Sequence, residues 1–370
     1  MNINALRSHN TALLLNLLRQ AGADGVSRLE LAERTGLTPQ AISKITARLR
    51  DEGLAVDAGR RASTGGKPRT VLRLVPGAAH AVGLHLDRDE LTAVRVDLAG
   101  AVVAARGVPL DLGAGTEAVL EVVAREAAGL LDGTVLGVGV AMPGPLDHTT
   151  GVPHRVTGFP EWDGFPLRDA LAERLGLPVV LDKDTNAAAF RIAARGRGGE
   201  SFAYLHLGTG LGAGLVLGGT LYRGTRTGAG EFGHQTVQLD GAPCGCGARG
   251  CLEALCLAAV ARGDLAEAAR VLGVGAANLV GLLDIDRVLL GGRVVTGAPE
   301  PFVRGVGAVL AERARREGGV PPVPVTVADA HPVTAAGTGD GGGPAEGSTT
   351  ADHPVAQGAA LLALAPVFGL

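Results

Sequence analysis

The chain has 370 residues, of which 46% are hydrophobic but only 3% aromatic, and its net charge is −3. That length fits two or three domains with aliphatic cores. No run of 18 apolar residues stands out and MNINALRSHN lacks a basic-then-apolar signal pattern, so a cytoplasmic protein without membrane spans is expected. The charge is unevenly placed: residues 1–75 hold 12 Lys/Arg against 6 Asp/Glu, and the rest hold 22 against 31. A small basic module in front of a larger acidic one fits a chain whose front end alone meets a polyanion; chance imbalance is the plainer account.

Ser8 to Gln20 carries Leu13, Leu14, Leu17 and Leu18 at helical spacing. A second short helix is predicted over Ser27 to Thr35, where Ser27 and Glu30 form a capping box. Gly36-Leu37 makes a tight turn. Thr38 opens a third helix with Pro39 at its first position, where a missing N–H costs nothing, and the helix stops at Gly53. Its buried stripe is Ile42, Ile45 and Leu49. Strand-like pieces at Leu54–Asp57 and Thr70–Val75 flank the glycine-rich, cationic segment 58–69, which reads as a β-hairpin. Helix, helix, turn, helix and hairpin make a winged helix-turn-helix.

Pro76-Gly77 marks a boundary. His80 to Val103 reads as two or three adjacent strands, Thr116 to Leu131 as a helix, and Val135 to Met142 as a buried strand ending in Pro-Gly-Pro. A strand at Val179–Leu181 precedes a helix at Thr185–Arg195, and strands at Tyr204–Leu207 and Gly214–Leu217 flank a glycine-rich turn. Such alternation indicates an α/β fold. Residues 334–353 are low-complexity and are expected to form a mobile loop.

Four features carry chemistry. The exposed side of the third helix, with Thr38, Gln40, Ala41, Ser43, Lys44 and Arg48, has the residue types that read a major groove. The wing offers Arg60, Arg61, Lys67 and Arg69 among glycines, suited to a phosphate backbone or minor groove. A solvated helical hairpin making protein contacts is the alternative. Second, His234, Cys244, Cys246 and Cys251 supply one imidazole and three thiolates, a filled Cys3His set for a structural zinc ion; Cys256 reads as a core residue. Third, Asp184 stands where a strand gives way to a helix, as a general base toward a hydroxyl or merely as a helix cap. Fourth, Leu207-Gly-Thr-Gly-Leu-Gly-Ala-Gly214 can cradle a phosphate or simply turn a hairpin.

Together these residues resemble the ROK family of repressors, unassigned reading frames and sugar kinases. The most specific part is Gly230-Glu-Phe-Gly-His234 followed by Cys244-Gly-Cys-Gly-Ala-Arg-Gly-Cys251-Leu-Glu253. Gly137-Val-Gly-Val-Ala-Met-Pro-Gly144, the Asp184 segment, Gly208-Thr-Gly-Leu-Gly212, Leu290-Gly-Gly292 and Gly358-Ala-Ala-Leu-Leu362 support it, and the winged helix is similar to the repressor branch. The resemblance implies an all-α/winged-helix N-terminal domain over residues 1–76. It also implies an α/β, actin-like (ribonuclease-H-like) two-lobed domain over 78–370. The first lobe would be 78–184 plus a C-terminal helix at about 355–370; the second would be 185–354, with the zinc site and the loop. It implies sugar contacts from Asp184, Glu231, His234 and Glu253, with His234 touching both zinc and sugar.

The chain departs from the family pattern in places. The kinases' Asp-x-Gly-Gly-Thr is matched by Gly83-Leu-His-Leu-Asp-Arg-Asp89, with His85 in the aspartate's place. Lys183 stands where an asparagine usually precedes the catalytic aspartate, and Gly158 where a second sugar-contacting asparagine is usual. The stretch from Glu253 to Asp264 is short. The expected function is a non-enzymatic, sugar-responsive transcription regulator that binds an operator as a homodimer or tetramer. A ligand-independent dimerisation scaffold and an ATP-dependent sugar kinase are the alternatives.

Overall fold

A computed structural model of the chain describes residues 9–61, 69–196, 198–328 and 353–370. Lys67 and residues 334–352 of the expected loop lie outside them. The chain divides into two compact units: Met1–Met142 with Pro166–Asp182 and Ala356–Leu370, and Pro143–Phe165 with Lys183–Val355. Residues 143–165, assigned by sequence to the first lobe, thus belong to the second unit. After the Pro-Gly-Pro turn the short antiparallel strands β8 (Leu146–Asp147) and β9 (Val152–Pro153) lead the chain into that unit.

The first unit begins with the winged helix: α1 (His9–Ala21), β1 (Val26–Ser27), α2 (Arg28–Thr35), α3 (Pro39–Asp51), β2 (Ala55–Arg61) and β3 (Arg69–Leu74). The capping box at α2 is formed. Ser27 N donates to Glu30 Oε2 at 2.7 Å and Glu30 N to Ser27 Oγ at 3.3 Å, satisfying two amides that a helix start leaves open. Gly36, at φ +69, ends α2 in the left-handed conformation that glycine adopts without strain. Ile42 and Leu49 are buried, and Ile45 packs beside them.

The remaining sheet of this unit has the order β10-β7-β4-β5-β6, from β4 (His80–Leu86), β5 (Glu90–Asp97), β6 (Val102–Pro109), β7 (Val135–Met142) and β10 (Val179–Lys183). The second unit repeats the plan as β13-β12-β11-β14-β15, with β11 (Phe202–Leu207), β12 (Leu211–Leu217), β13 (Thr220–Tyr222), β14 (Arg287–Gly291) and β15 (Val325–Val327). In each, a three-stranded antiparallel meander is followed by a strand parallel to its first member. That duplicated arrangement is the ribonuclease-H-like fold.

The C-terminal helix Pro354–Phe368 lies against the first sheet. At Gly83 an added Cβ would sit 1.9 Å from the Ala356 carbonyl oxygen, and at Gly139 1.8 Å from that of Ala359. Only residues without a side chain allow this approach. The winged helix shares the same core: Leu14, Leu15 and Leu18 of α1 cluster with Ala81, Val94, Leu364, Val367 and Phe368. The Arg19 guanidinium stacks over the Phe368 ring at 5.1 Å.

The helix Leu265–Leu283 has 19 residues and a mean hydropathy of 1.3, long and apolar enough to cross a bilayer. Glu267 and Arg270 interrupt the apolar run near its start. Much of its apolarity serves packing: Ala268, Leu272 and Ala276 are buried in the second core. It meets the helix Pro299–Arg316 through reciprocal close contacts. A Cβ at Gly273 would come within 2.8 Å of Val309 and one at Gly305 within 2.6 Å of Ala269.

Gly139→Ala should therefore lower the melting temperature by several degrees, since overpacking a filled interface costs about 1–3 kcal/mol or more. Thermal unfolding followed by circular dichroism checks this; an unchanged midpoint would mean the helix is not seated as described.

Candidate functional site

The recognition face is assembled on α3. Thr38 caps the helix, its hydroxyl accepting from Ala41 N at 3.3 Å, so its side chain is partly committed to the backbone. Gln40, Ser43 and Lys44 are exposed, and Ala41 is half-buried. Arg48 is placed differently from the sequence reading. Its Nη2 donates to Thr11 Oγ1 on α1 and its Nε lies 3.9 Å from Glu52, so the guanidinium braces the first helix rather than standing free on the groove face. Sequence could not reveal this, because Thr11 is distant in the chain. On the wing, backbone register sets Arg61 opposite Arg69 and Arg60 opposite Thr70.

The second constellation lies wholly in the second unit. His234 ends a single 3-10 turn, Phe232–His234. Cys244 and Cys246 sit in a tight loop in which Cys244 N donates to Ala248 O at 2.8 Å and Gly247 adopts φ +93. Cys251 precedes the helix Leu252–Ala261. Gly250 is required here, since a Cβ would meet the Gln238 carbonyl oxygen at 1.6 Å. The ligand atoms of His234, Cys244, Cys246 and Cys251 all lie within 4.8 Å of one another.

Two edges of this cluster test its fit to one ion. Cys246 Sγ and Cys251 Sγ are 3.8 Å apart, and Cys244 Sγ is 3.7 Å from His234 Nδ1. A tetrahedral ion with metal–sulfur bonds of about 2.3 Å has sulfur–sulfur edges of about 3.8 Å. The residues fit a metal ion held by three sulfurs and the His234 Nδ1. Burial pushes the Cys251 thiol up to about 12 and raises that of Cys244, whereas the Ala248 amide holds Cys246 below the usual thiol range. An ion entering here must displace those protons. Cys256 is apart: it is buried in the aliphatic core, its Sγ 3.6 Å from Ala268 O.

Beside the cluster is a cavity of about 630 Å³, lined by residues 155–158 together with Pro145, Pro160, Asp163, Glu231, His234, Gly245 and Cys246. Of the four residues that the resemblance assigns to a sugar, Glu231 and His234 line it, and Asp184 and Glu253 do not. Asp184 opens the helix Asp184–Ala194 and its Oδ1 accepts from Thr185 N at 2.6 Å. Glu253 Oε2 accepts from Leu211 N at 2.8 Å, anchoring the hairpin turn 208–210. That glycine-rich turn is a three-residue hairpin connection. Arg155, Thr157 and Asp163 were not singled out from sequence; their only signal was proximity to Phe159-Pro-Glu-Trp162.

Comparison with known proteins fits this geometry. The ROK family model matches residues 82–261, and a model described as winged helix-turn-helix DNA-binding matches residues 9–55. A solved ROK hexokinase from Thermus thermophilus is 32% identical, covering 76% of this chain and 97% of that one with a TM-score of 0.56. The chain belongs to the ROK family. A second solved structure, a ROK family transcriptional regulator homologous to the E. coli MLC protein, is 21% identical. It covers 98% of both chains at a TM-score of 0.75, which shows a shared fold over nearly the full length. A putative xylose repressor from Caldicellulosiruptor sp. is 27% identical over 317 residues, 72% of this chain and 79% of its own length. The next three curated relatives, xylose repressors, are spanned over only 59–61% of their lengths. The ROK repertoire thus includes a hexokinase and repressors, and this chain carries the DNA-binding module in front.

Glu253→Ala should strand the Leu211 amide and lower the melting temperature by a few degrees, in line with about 1–3 kcal/mol for a lost charged acceptor; Glu253→Gln should cost less. Equal midpoints for all three proteins would remove Glu253 from the turn's support.

Proposed function

We propose that this ROK protein is a transcription regulator of carbohydrate-related genes, a repressor whose ROK domain binds a sugar-class effector and thereby changes operator affinity. The observation that carries the reading is a winged helix-turn-helix built into a ROK domain whose Glu231 and His234 line a cavity beside the thiol cluster. A carboxylate accepts from sugar hydroxyls, and a fixed imidazole adds a directed partner. Asp184 and Glu253 belong to the proposed contacts by family resemblance. An effector shifts DNA binding only if it favours one of two arrangements, and a coupling of about 1–3 kcal/mol gives roughly 5- to 150-fold in operator affinity. One recognition helix per chain reads too few base pairs alone, so a homodimer on a repeated or palindromic site is the expected species.

The ion we assign to His234, Cys244, Cys246 and Cys251 is zinc in a structural role. All four positions are filled by protein, leaving none for a reacting water. It would fix the loop that presents His234 to the cavity. The domain is not expected to phosphorylate sugar, because His85 stands where the family's kinases place an aspartate for phosphate and magnesium. Robust ATP-dependent turnover of a hexose would overturn that part.

Three outcomes test the reading. Glu231→Ala should abolish the effector response while leaving effector-free DNA binding intact, read by anisotropy with a fluorescent operator. No response of the wild type to any hexose, amino sugar or sugar phosphate at millimolar levels would reduce the domain to a scaffold. Lys44→Ala should weaken operator binding and flatten its salt dependence by about one counterion; unchanged affinity would move the groove face elsewhere. Cys251→Ser should lose zinc and several degrees of melting temperature, whereas Cys256→Ser should retain the metal. Elemental analysis that finds no zinc in wild-type protein would exclude the assignment.

A further inference from the structure

Glu231 does not face its cavity as a lone carboxylate. Lys183, the last residue of β10, is buried with its side chain only 3% exposed, and its Nζ donates to Glu231 Oε1 at 3.0 Å and to the Ala229 carbonyl. The Glu231 side chain remains 37% exposed and lines the cavity. The lysine is housed by glycines. A Cβ at Gly144 would lie 2.6 Å from Lys183 Cδ, and one at Gly230, which has φ +90, would lie 3.4 Å from Nζ. The fold therefore leaves room for a long cationic side chain, and holds its ammonium against the carboxylate.

A carboxylate grips a sugar by offering acceptor sites on both oxygens to neighbouring hydroxyls, and such bonds draw strength from its charge. Here an internal cation takes one acceptor site on Oε1 and compensates that charge. A neutral sugar approaching Glu231 meets an ion pair already formed, and gains less from it than from a free carboxylate. An asparagine at 183 carries no charge and reaches less far than lysine, so it cannot compensate Glu231 in this way.

We infer that Lys183 is a specificity-determining residue that masks Glu231 and weakens the cavity's affinity for neutral pyranoses. The inference rests on the proposed sugar site, and goes beyond it in naming the residue that sets its selectivity. The experiment is calorimetric titration of the full-length wild type, Lys183→Asn and Lys183→Met with glucose, xylose and N-acetylglucosamine. Zinc content and melting temperature establish that each variant is folded. Lys183→Met keeps the aliphatic stem against Gly144 and serves if the shorter asparagine fails to fold. Either folded variant should bind at least one of the three sugars roughly tenfold or more tighter than the wild type, as expected for freeing a charged acceptor. A smaller gain, a loss, or no binding in any of the proteins overturns the inference. Anisotropy on the same samples separates it from the regulatory reading. If a variant gains sugar affinity while no hexose, amino sugar or sugar phosphate moves the operator binding of the wild type or of that variant, Lys183 masks Glu231 and the sensor reading fails. If the wild type responds and the variants gain nothing, the sensor stands and the mask does not.

Discussion

The cavity of the second unit depends on the convergence of one imidazole and three thiols in a segment with almost no regular structure. Between the short turn at Phe232–His234 and the helix at Leu252 the backbone runs through bends, two isolated bridges and glycines with positive φ. Hydrophobic burial can do little there, because residues 238–242 are mostly exposed and small or polar. Backbone bonds such as Cys244 N to Ala248 O and Gly250 N to Ala242 O hold the segment, and they bring four donor atoms into a space less than 5 Å across. His234 and Cys246 belong both to that cluster and to the cavity wall, so the wall inherits the cluster's geometry. Gly245 extends the dependence to the opposite strand of chain, where a Cβ would press on Thr157 at 3.0 Å.

A different principle governs the first unit. The DNA-binding module is not strung on a linker: its first helix contributes Leu14, Leu15 and Leu18 to a core that also contains sheet and C-terminal helix residues. Arg48, on the recognition helix, is braced against Thr11 of that same first helix. The recognition helix is thus tied to the packing of this core, to which its own Ile42 and Leu49 also belong.

Much of this was legible beforehand because it is local. The capping box at Ser27 and Glu30, the helix start at Thr38-Pro39 and the dense spacing of Cys244, Cys246 and Cys251 are short-range patterns with one strong physical reading each. Fold class followed from strand–helix alternation and family motifs. What the sequence hid is long-range: Arg48 meeting Thr11, Glu253 reaching back to Leu211, and Lys183 finding Glu231 across 48 positions. Periodicity places a residue on a face but does not say which remote group will occupy it. The glycines of the helix Leu265–Leu283 belong to the same class: only the helix packed on them shows what they are for.

The stacking of Arg19 on Phe368 joins residues almost 350 positions apart. A ribosome delivers the first helix long before the helix that completes the cluster around Leu14, Leu15 and Leu18. Loop-closure entropy grows only slowly with length, and the late contact is thermodynamically inexpensive. It cannot form before residue 368 has been made, whereas the partners within the winged helix, among them Leu31, Ile42, Leu49 and Leu72, are available early. The seat of the winged helix is thus shared between the two ends of this sequence, and a truncation before residue 368 would remove part of it.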